Sequence, residues 1–188
     1  MLIDVLTTFQ FPDGDILRNA LAMRDALVRL KARAREAVIP VLYVNDNFGD
    51  WRSEKEVLLG RCLEAKGAKF VRPLLPDSED YFVLKPMHSA FYMTPLEVLL
   101  RHLQVEALIL TGLTSSSCLT ATAHDANMRG FDIYIPPDCS CAWTASEHTQ
   151  ALAQLQAMAG ANLRRSSSLR LPALIHSARA SQRLDRSA

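Results

Sequence analysis

Three residues whose side chains can do chemistry fall where apolar runs give out. Asp4 closes the run beginning MLID, Lys85 follows YFVL (81–84), and Cys118 stands beyond ALILTGL (107–113) across a Thr-Ser-Ser-Ser approach. A thiol becomes a nucleophile when ionised, and a helix N-terminus or a nearby lysine lowers its pKa. A carboxylate beside it can take the thiol proton and later hand it to a leaving group. Lys85 would hold that carboxylate and bias both ionisations through its charge. Backbone N–H groups of the turn 112–118 could receive an oxyanion. Together the three describe acyl transfer from an amide or related C–N bond to sulfur and then to water.

For these residues to meet, the runs carrying them must be neighbouring strands with ends on one side. The order of elements supports that. Apolar, β-rich runs occur at 1–6, 38–44, 81–84, 107–113 and 131–136, and helical spacing at 16–37, 54–65, 95–103, 117–129 and 145–160. Ile16, Ala20, Met23, Leu27 and Leu30 mark the first helix, and Gly130 and Gly160 suit helix C-termini. Strands alternating with helices, each strand almost continuously apolar, predict an α/β fold: a three-layer α/β/α, Rossmann-like, mostly parallel sheet with helices on both faces. In such sheets ligands bind beyond the carboxyl ends of the strands.

The totals exclude several classes. A chain of 188 residues with 49% hydrophobic and 22% charged residues suits one ordinary globular domain. A formal net charge of +1 gives no global reason to bind nucleic acid or an anionic membrane. No apolar run reaches membrane-spanning length and no basic flank opens a signal peptide, so a cytoplasmic location is expected. Cys62, Cys118, Cys139 and Cys141 form no CxxC and read as free thiols. Neither GxGxxG nor a P-loop occurs, and no cofactor is expected. The domain is placed at 1–163, and the Ser/Arg-rich segment 164–188 is expected to be a flexible basic tail.

Three blocks together resemble the isochorismatase-like cysteine hydrolases: LIDVLTTF (2–9), LKPMHSAFYMTPLEVLL (84–100) and LILTGLTSSSCLTATAHDANMRGFDIYIPPDC (108–139). Order and spacing agree over about residues 1–160. The resemblance implies an Asp-Lys-Cys triad at Asp4, Lys85 and Cys118, and a cis peptide at Leu113–Thr114. It also implies an oxyanion hole from the N–H groups of Thr114 and Cys118. Its usual first motif carries glutamine or asparagine and an acid before the phenylalanine, where this chain has Leu6, Thr7 and Thr8. Only three residues precede Asp4, so a shortened first strand is expected. The nicotinamidase branch has an Asp-x-His metal motif after its second strand. NDNFGDW (45–51) lacks histidine, so no metal is expected.

Phe9 and Trp51 are candidate pocket walls, and Asn45, His88 and Ser115 candidate substrate contacts. His102, His124, His148 and His176 read as surface or helix-end residues, and Asp125 as a tie between elements. The function expected is hydrolysis of a C–N bond in a small amide, carbamoyl or ureido compound through a Cys118 thiol ester, with Asp4 as acid and base. The alternatives are isochorismate-type vinyl-ether hydrolysis and a non-catalytic scaffold. The resemblance implies a small-molecule substrate and a homo-oligomer, a dimer or larger.

Overall fold

The computed structural model describes residues 1–11, 16–52 and 54–174. Its elements run β1 (Leu2–Ile3), α1 (Leu17–Glu36), β2 (Leu42–Asp46), α2 (Lys55–Glu64), α3 (Ala68–Val71), β3 (Tyr81–Lys85), α4 (Leu96–His102), β4 (Ala107–Ile109), β5 (Thr111–Leu113), α5 (Cys118–Met128), β6 (Asp132–Tyr134), β7 (Ser140–Cys141) and α6 (Ala145–Ala159). Every strand pairing is parallel, in a sheet ordered β3-β2-β1-β5-β7 and a two-stranded ladder β4-β6. The chain winds from β1 outward to β3, then crosses to the other side of β1 at β5. That reversal opens a crevice at the carboxyl edge.

Alternation along the strands sends apolar side chains into two cores. Leu2 and Tyr43 face α1, joining Met23, Leu27, Leu58 and Phe70. Ile3, Leu42 and Val44 face the other layer, with Leu96, Leu119 and Leu155 from α4, α5 and α6. The three-layer α/β/α architecture expected from the sequence is therefore the observed one. Burial on both faces is why β2 reads as an unbroken apolar run before its polar end. On α1 the buried Ala20, Met23, Leu27, Leu30 and Ala34 repeat every three or four residues. A capping box between Thr144 and Glu147 starts α6, and Gly160 ends it at φ 62°.

Two departures from the sequence-based expectations stand out. The apolar run 107–113 is two strands, because its partner changes at Leu110: β4 pairs with β6, and β5 pairs with β1 and β7. Gly112 makes that switch possible, since a Cβ there would sit 2.0 Å from the Ile3 carbonyl oxygen. β7 is an additional strand, and both Cys139 and Cys141 lie in the core against α1. The first strand is short, as expected, and stops at Ile3 because Asp4 takes φ 52° and turns the chain. All four cysteines are free.

The segment from 164 onward does not begin as a flexible tail. Leu169 and Leu171 are buried. The Ser166 N–H and hydroxyl donate to Asp138, at 2.8 and 2.7 Å. The Arg33 guanidinium donates to the carbonyls of Ser166 and Leu169 at 2.7 and 2.6 Å. A serine-rich stretch looked solvated, but these partners give its polar groups a packed alternative to water. Residues 175–188 of the expected tail lie outside the described residues. Among the described residues, no helix is long and apolar enough to cross a membrane.

Candidate active site

Asp4, Lys85 and Cys118 meet at the carboxyl edge. Asp4 lies one residue beyond β1, where its N–H still donates to the Val44 carbonyl at 3.0 Å. Lys85 ends β3 in register with Asp46 on β2. β1 and β3 are two strand spacings apart, about 10 Å, so only a long side chain can cross the end of β2 to reach Asp4. The Lys85 side chain is fully buried, and its Nζ lies 3.0 Å from Asp4 Oδ2, 3.3 Å from Asp46 Oδ2, 3.2 Å from the Met87 carbonyl and 3.4 Å from Cys118 Sγ. Four acceptors thus share one ammonium. The other Asp4 oxygen, Oδ1, accepts the Asp46 N–H at 2.7 Å.

Cys118 is the first residue of α5, so its N–H belongs to the first-turn donors that have no acceptor within the helix. The Leu113–Thr114 peptide is cis. The turn between them is closed on itself: the N–H groups of Ser117 and Leu119 both donate to the Thr114 carbonyl at 3.2 Å.

Electrostatics within the trio run against one expectation. The Cys118 thiol is pushed up to about 12, first by burial and then by the Asp4 carboxylate, with Lys85 pulling the other way. The sequence suggests a thiol lowered by lysine and helix terminus; in the folded site, desolvation and the neighbouring anion outweigh the lysine. Burial also raises Asp4, against the opposing charge and hydrogen bond of Lys85. For Lys85, burial works against the charge, yet Asp4, Cys118 and Asp46 outweigh it and its pKa rises. The resting site is a protonated ammonium and a neutral thiol beside a carboxylate that readily takes a proton.

The family model for the isochorismatase domain matches residues 2–166. The chain belongs to the isochorismatase family. It is 32% identical over 157 residues to YaaI, an isochorismatase family protein of Bacillus subtilis, covering 83% of this chain and 87% of that one. It is 27% identical to the ureidoacrylate amidohydrolase RutB of Methylobacterium radiotolerans, over 85% of this chain and 73% of the relative. Among solved structures, N-carbamoylsarcosine amidase from Thermoplasma acidophilum superposes with a TM-score of 0.71 at 22% identity, over 90% of this chain and 96% of that one. The chain is thus an isochorismatase-family hydrolase.

Within this isochorismatase-family site, other residues singled out from the sequence lie elsewhere than expected. Phe9 is wholly buried, edge-on to Phe70 at a centroid distance of 5.2 Å, and so is core rather than an open wall. Trp51 is 82% exposed and walls nothing in this chain. Asn45 is fully buried and spends its amide on the backbone of Leu6, donating at 2.6 Å and accepting at 3.3 Å. It fixes the loop after Asp4 instead of meeting a ligand. Ser115 is also fully buried and bonds His148. His88 alone of the five candidates stays beside the chemistry, exposed, with Nδ1 3.7 Å from Cys118 Sγ and 3.4 Å from Ser117 Oγ.

The first-motif substitutions are internal too. Leu6 and Thr7 are buried, and the hydroxyls of Thr7 and Thr8 accept the N–H groups of Phe9 and Gln10, both at 3.3 Å. Asp125 accepts from the Ser89 hydroxyl and from Arg129, tying the loop after β3 to α5.

Sequence reasoning missed Asp46 and His148. Asp46 sits in the polar cluster that ends β2, and its contact with Lys85 depends on strand register. His148 reads from the sequence as a surface or helix-end residue, yet it is half-buried and bonded to Ser115. Among the described residues, no group of three or more His, Cys, Asp or Glu is arranged to hold a metal ion. A cavity of about 370 Å³ lies at the opposite, amino-terminal edge of the sheet, lined by Leu2, Leu42, Val105 and Thr111 among others. It touches none of the trio, so the chemistry of the carboxyl edge, not cavity size, locates the site.

Proposed function

We propose that this isochorismatase-family hydrolase cleaves a C–N bond of a small amide, carbamoyl or ureido compound through a thioester on Cys118. The observation that carries the reading is the single buried ammonium of Lys85 within hydrogen-bonding reach of both Asp4, at 3.0 Å, and Cys118, at 3.4 Å. Asp4 takes the thiol proton as sulfur attacks the carbonyl carbon, so no free thiolate needs to accumulate. Lys85 offsets the charge passing between them. The N–H groups of Thr114 and Cys118 receive the oxyanion. As the C–N bond breaks, Asp4 gives its proton to the leaving nitrogen. Water then loses a proton to Asp4 and attacks the thioester, and that proton returns to sulfur as the acid departs. His88, exposed beside the sulfur, is placed to contact the part of the substrate nearest the carbonyl.

Similarity to ureidoacrylate and maleamate amidohydrolases supports a small amide substrate. The test is ammonia release from a panel of ureidoacrylate, maleamate and N-carbamoylsarcosine, with wild type and Cys118→Ala. Turnover by wild type that is lost in the variant is expected. Isochorismate hydrolysis surviving the same substitution would replace this reading with the vinyl-ether one. A homo-oligomer remains part of the proposal, supported by the exposed apolar side chains Trp51, Met87, Tyr92 and Met93 on loops after β2 and β3. Light scattering that returned the chain mass of 20.9 kDa would remove it.

A further inference from the structure

We propose that His148, from α6, is a positioning residue for the nucleophile turn, acting as the neutral acceptor of the Ser115 hydroxyl proton. The proposal rests on the reading of Cys118 as nucleophile. The direction of the hydrogen bonds decides the tautomer. His148 Nε2 lies 3.2 Å from the Pro137 carbonyl oxygen, which can only accept, so Nε2 carries the proton. Nδ1 is then a bare lone pair, and Ser115 Oγ, 2.9 Å away, donates to it.

Ser115 ties the backbone of the turn to β7 and α5. Its N–H donates to the Cys141 carbonyl on β7 at 2.8 Å, and its own carbonyl accepts the Thr120 hydroxyl at 2.6 Å. With its hydroxyl on His148, every polar group of this fully buried residue is committed. The backbone N–H groups of Ser117 and Leu119 bond within the turn, to the Thr114 carbonyl. Ser115 follows Thr114 directly and precedes Cys118 by three residues. A tilt at Ser115 therefore passes to both N–H groups assigned to the oxyanion and to the sulfur.

The attachment holds one way round. When His148 takes a second proton, Nδ1 becomes a donor, and the Ser115 hydroxyl can only accept from it. The proton of the fully buried Ser115 hydroxyl is then left without its acceptor. Burial already disfavours charge on His148, holding its pKa below the ordinary range despite the Pro137 carbonyl. Ionisable groups on the surrounding elements offer the cation no partner. Asp138 is held by Ser166, Glu147 by the Thr144 N–H, and Asp125 by Arg129 and Ser89. Cys139 and Cys141 stay protonated, both pushed up to about 12 by burial. His124 and Cys118 on α5 have no hydrogen bond to the ring among the described residues.

The test compares wild type with His148→Gln, His148→Leu and Ser115→Ala. Glutamine keeps an acceptor and a donor but does not titrate. With the panel amide turned over fastest, His148→Leu should lose about tenfold in kcat with KM within twofold, and His148→Gln should stay within about threefold of wild type. The wild-type kcat should fall on the acid side, where protonation of His148 adds to the loss from protonation of Asp4; in His148→Gln only the Asp4 limb should remain, so the fall should be shallower. If wild type hydrolyses nothing on the panel, the functional reading fails, and iodoacetamide alkylation of Cys118 decides this one separately. His148→Leu should then shift the alkylation rate at least threefold while His148→Gln does not. If His148→Leu fails to melt cooperatively, Ser115→Ala takes its place with the same expectation. Equal impairment in the Gln and Leu variants, or none in either, overturns the proposal.

Discussion

Replacing Asp4 by asparagine should make Cys118 easier to alkylate while abolishing hydrolysis. With the thiol pushed up to about 12, against about 8.5 for a free thiol, the thiolate population near pH 7.5 is lower by about three and a half decades. Burial and the Asp4 charge hold it there, while the Lys85 ammonium, 3.4 Å from the sulfur, works in the opposite direction. Removing a unit charge about 4 Å away at an effective dielectric of about 20 is worth about 4 kcal/mol. Cys118 is partly exposed, so solvent screening would reduce this to about half, still about thirtyfold in thiolate population. Asp4→Asn should therefore raise the iodoacetamide rate at Cys118, read by peptide mass spectrometry at pH 7.5, by about thirtyfold or more. Ammonia release should fall by about a thousandfold, as general acid-base catalysis is lost. A Cys118 rate in Asp4→Asn equal to or below wild type would refute the argument. So would a wild-type thiol titrating below about 8.5, because the resting sulfur would then be held as thiolate by Lys85 rather than as thiol by Asp4.

Asp46→Asn should reduce kcat about tenfold or less, because the Asp46 N–H to Asp4 Oδ1 survives and only one carboxylate on Lys85 is lost; a loss matching Asp4→Asn in the ammonia assay would give Asp46 a direct part in the reaction. Stability should fall as pH rises above about 8.5, since burial pushes Cys62 up to about 11 and Cys139 and Cys141 up to about 12. Between those limits the unfolded chain has lost protons that the folded one keeps, so each buried thiol removes about 1.4 kcal/mol per pH unit; urea midpoints unchanged from pH 8 to 10 would contradict this. Gly112→Ala should destabilise by about 3 kcal/mol or more, because the new methyl meets the Ile3 backbone and φ is 114°; a denaturation midpoint near wild type would show that β5 can move off β1.

Strand ends and helix starts were legible in the sequence because they follow from where apolar runs stop. That was enough to bring Asp4, Lys85 and Cys118 to one edge, since parallel strands of a wound sheet end together. What stayed hidden depends on contacts between elements. Asp46 reads as part of a polar stop, Asn45-Asp46-Asn47, until the register sets it beside Lys85. The change of partner at Leu110 leaves no mark in an unbroken apolar run, because both ladders call for the same residue types. Burial is equally opaque for side chains that suit either setting. Phe9 and Trp51 are both large aromatics near site loops, and one is sealed against Phe70 while the other stands 82% exposed. Asn45 and Ser115 look like substrate contacts because polar residues near a site usually face it, but a buried turn needs its own donors and acceptors first. That same need explains His148. The capping box at Thr144 and Glu147 marks where α6 begins, and so places a histidine in its first turn. Only the fold shows that this turn packs where the nucleophile loop has a hydroxyl proton without a backbone acceptor. Asn45, Ser115 and His148 thus serve to hold the loop after Asp4 and the turn before Cys118 in place.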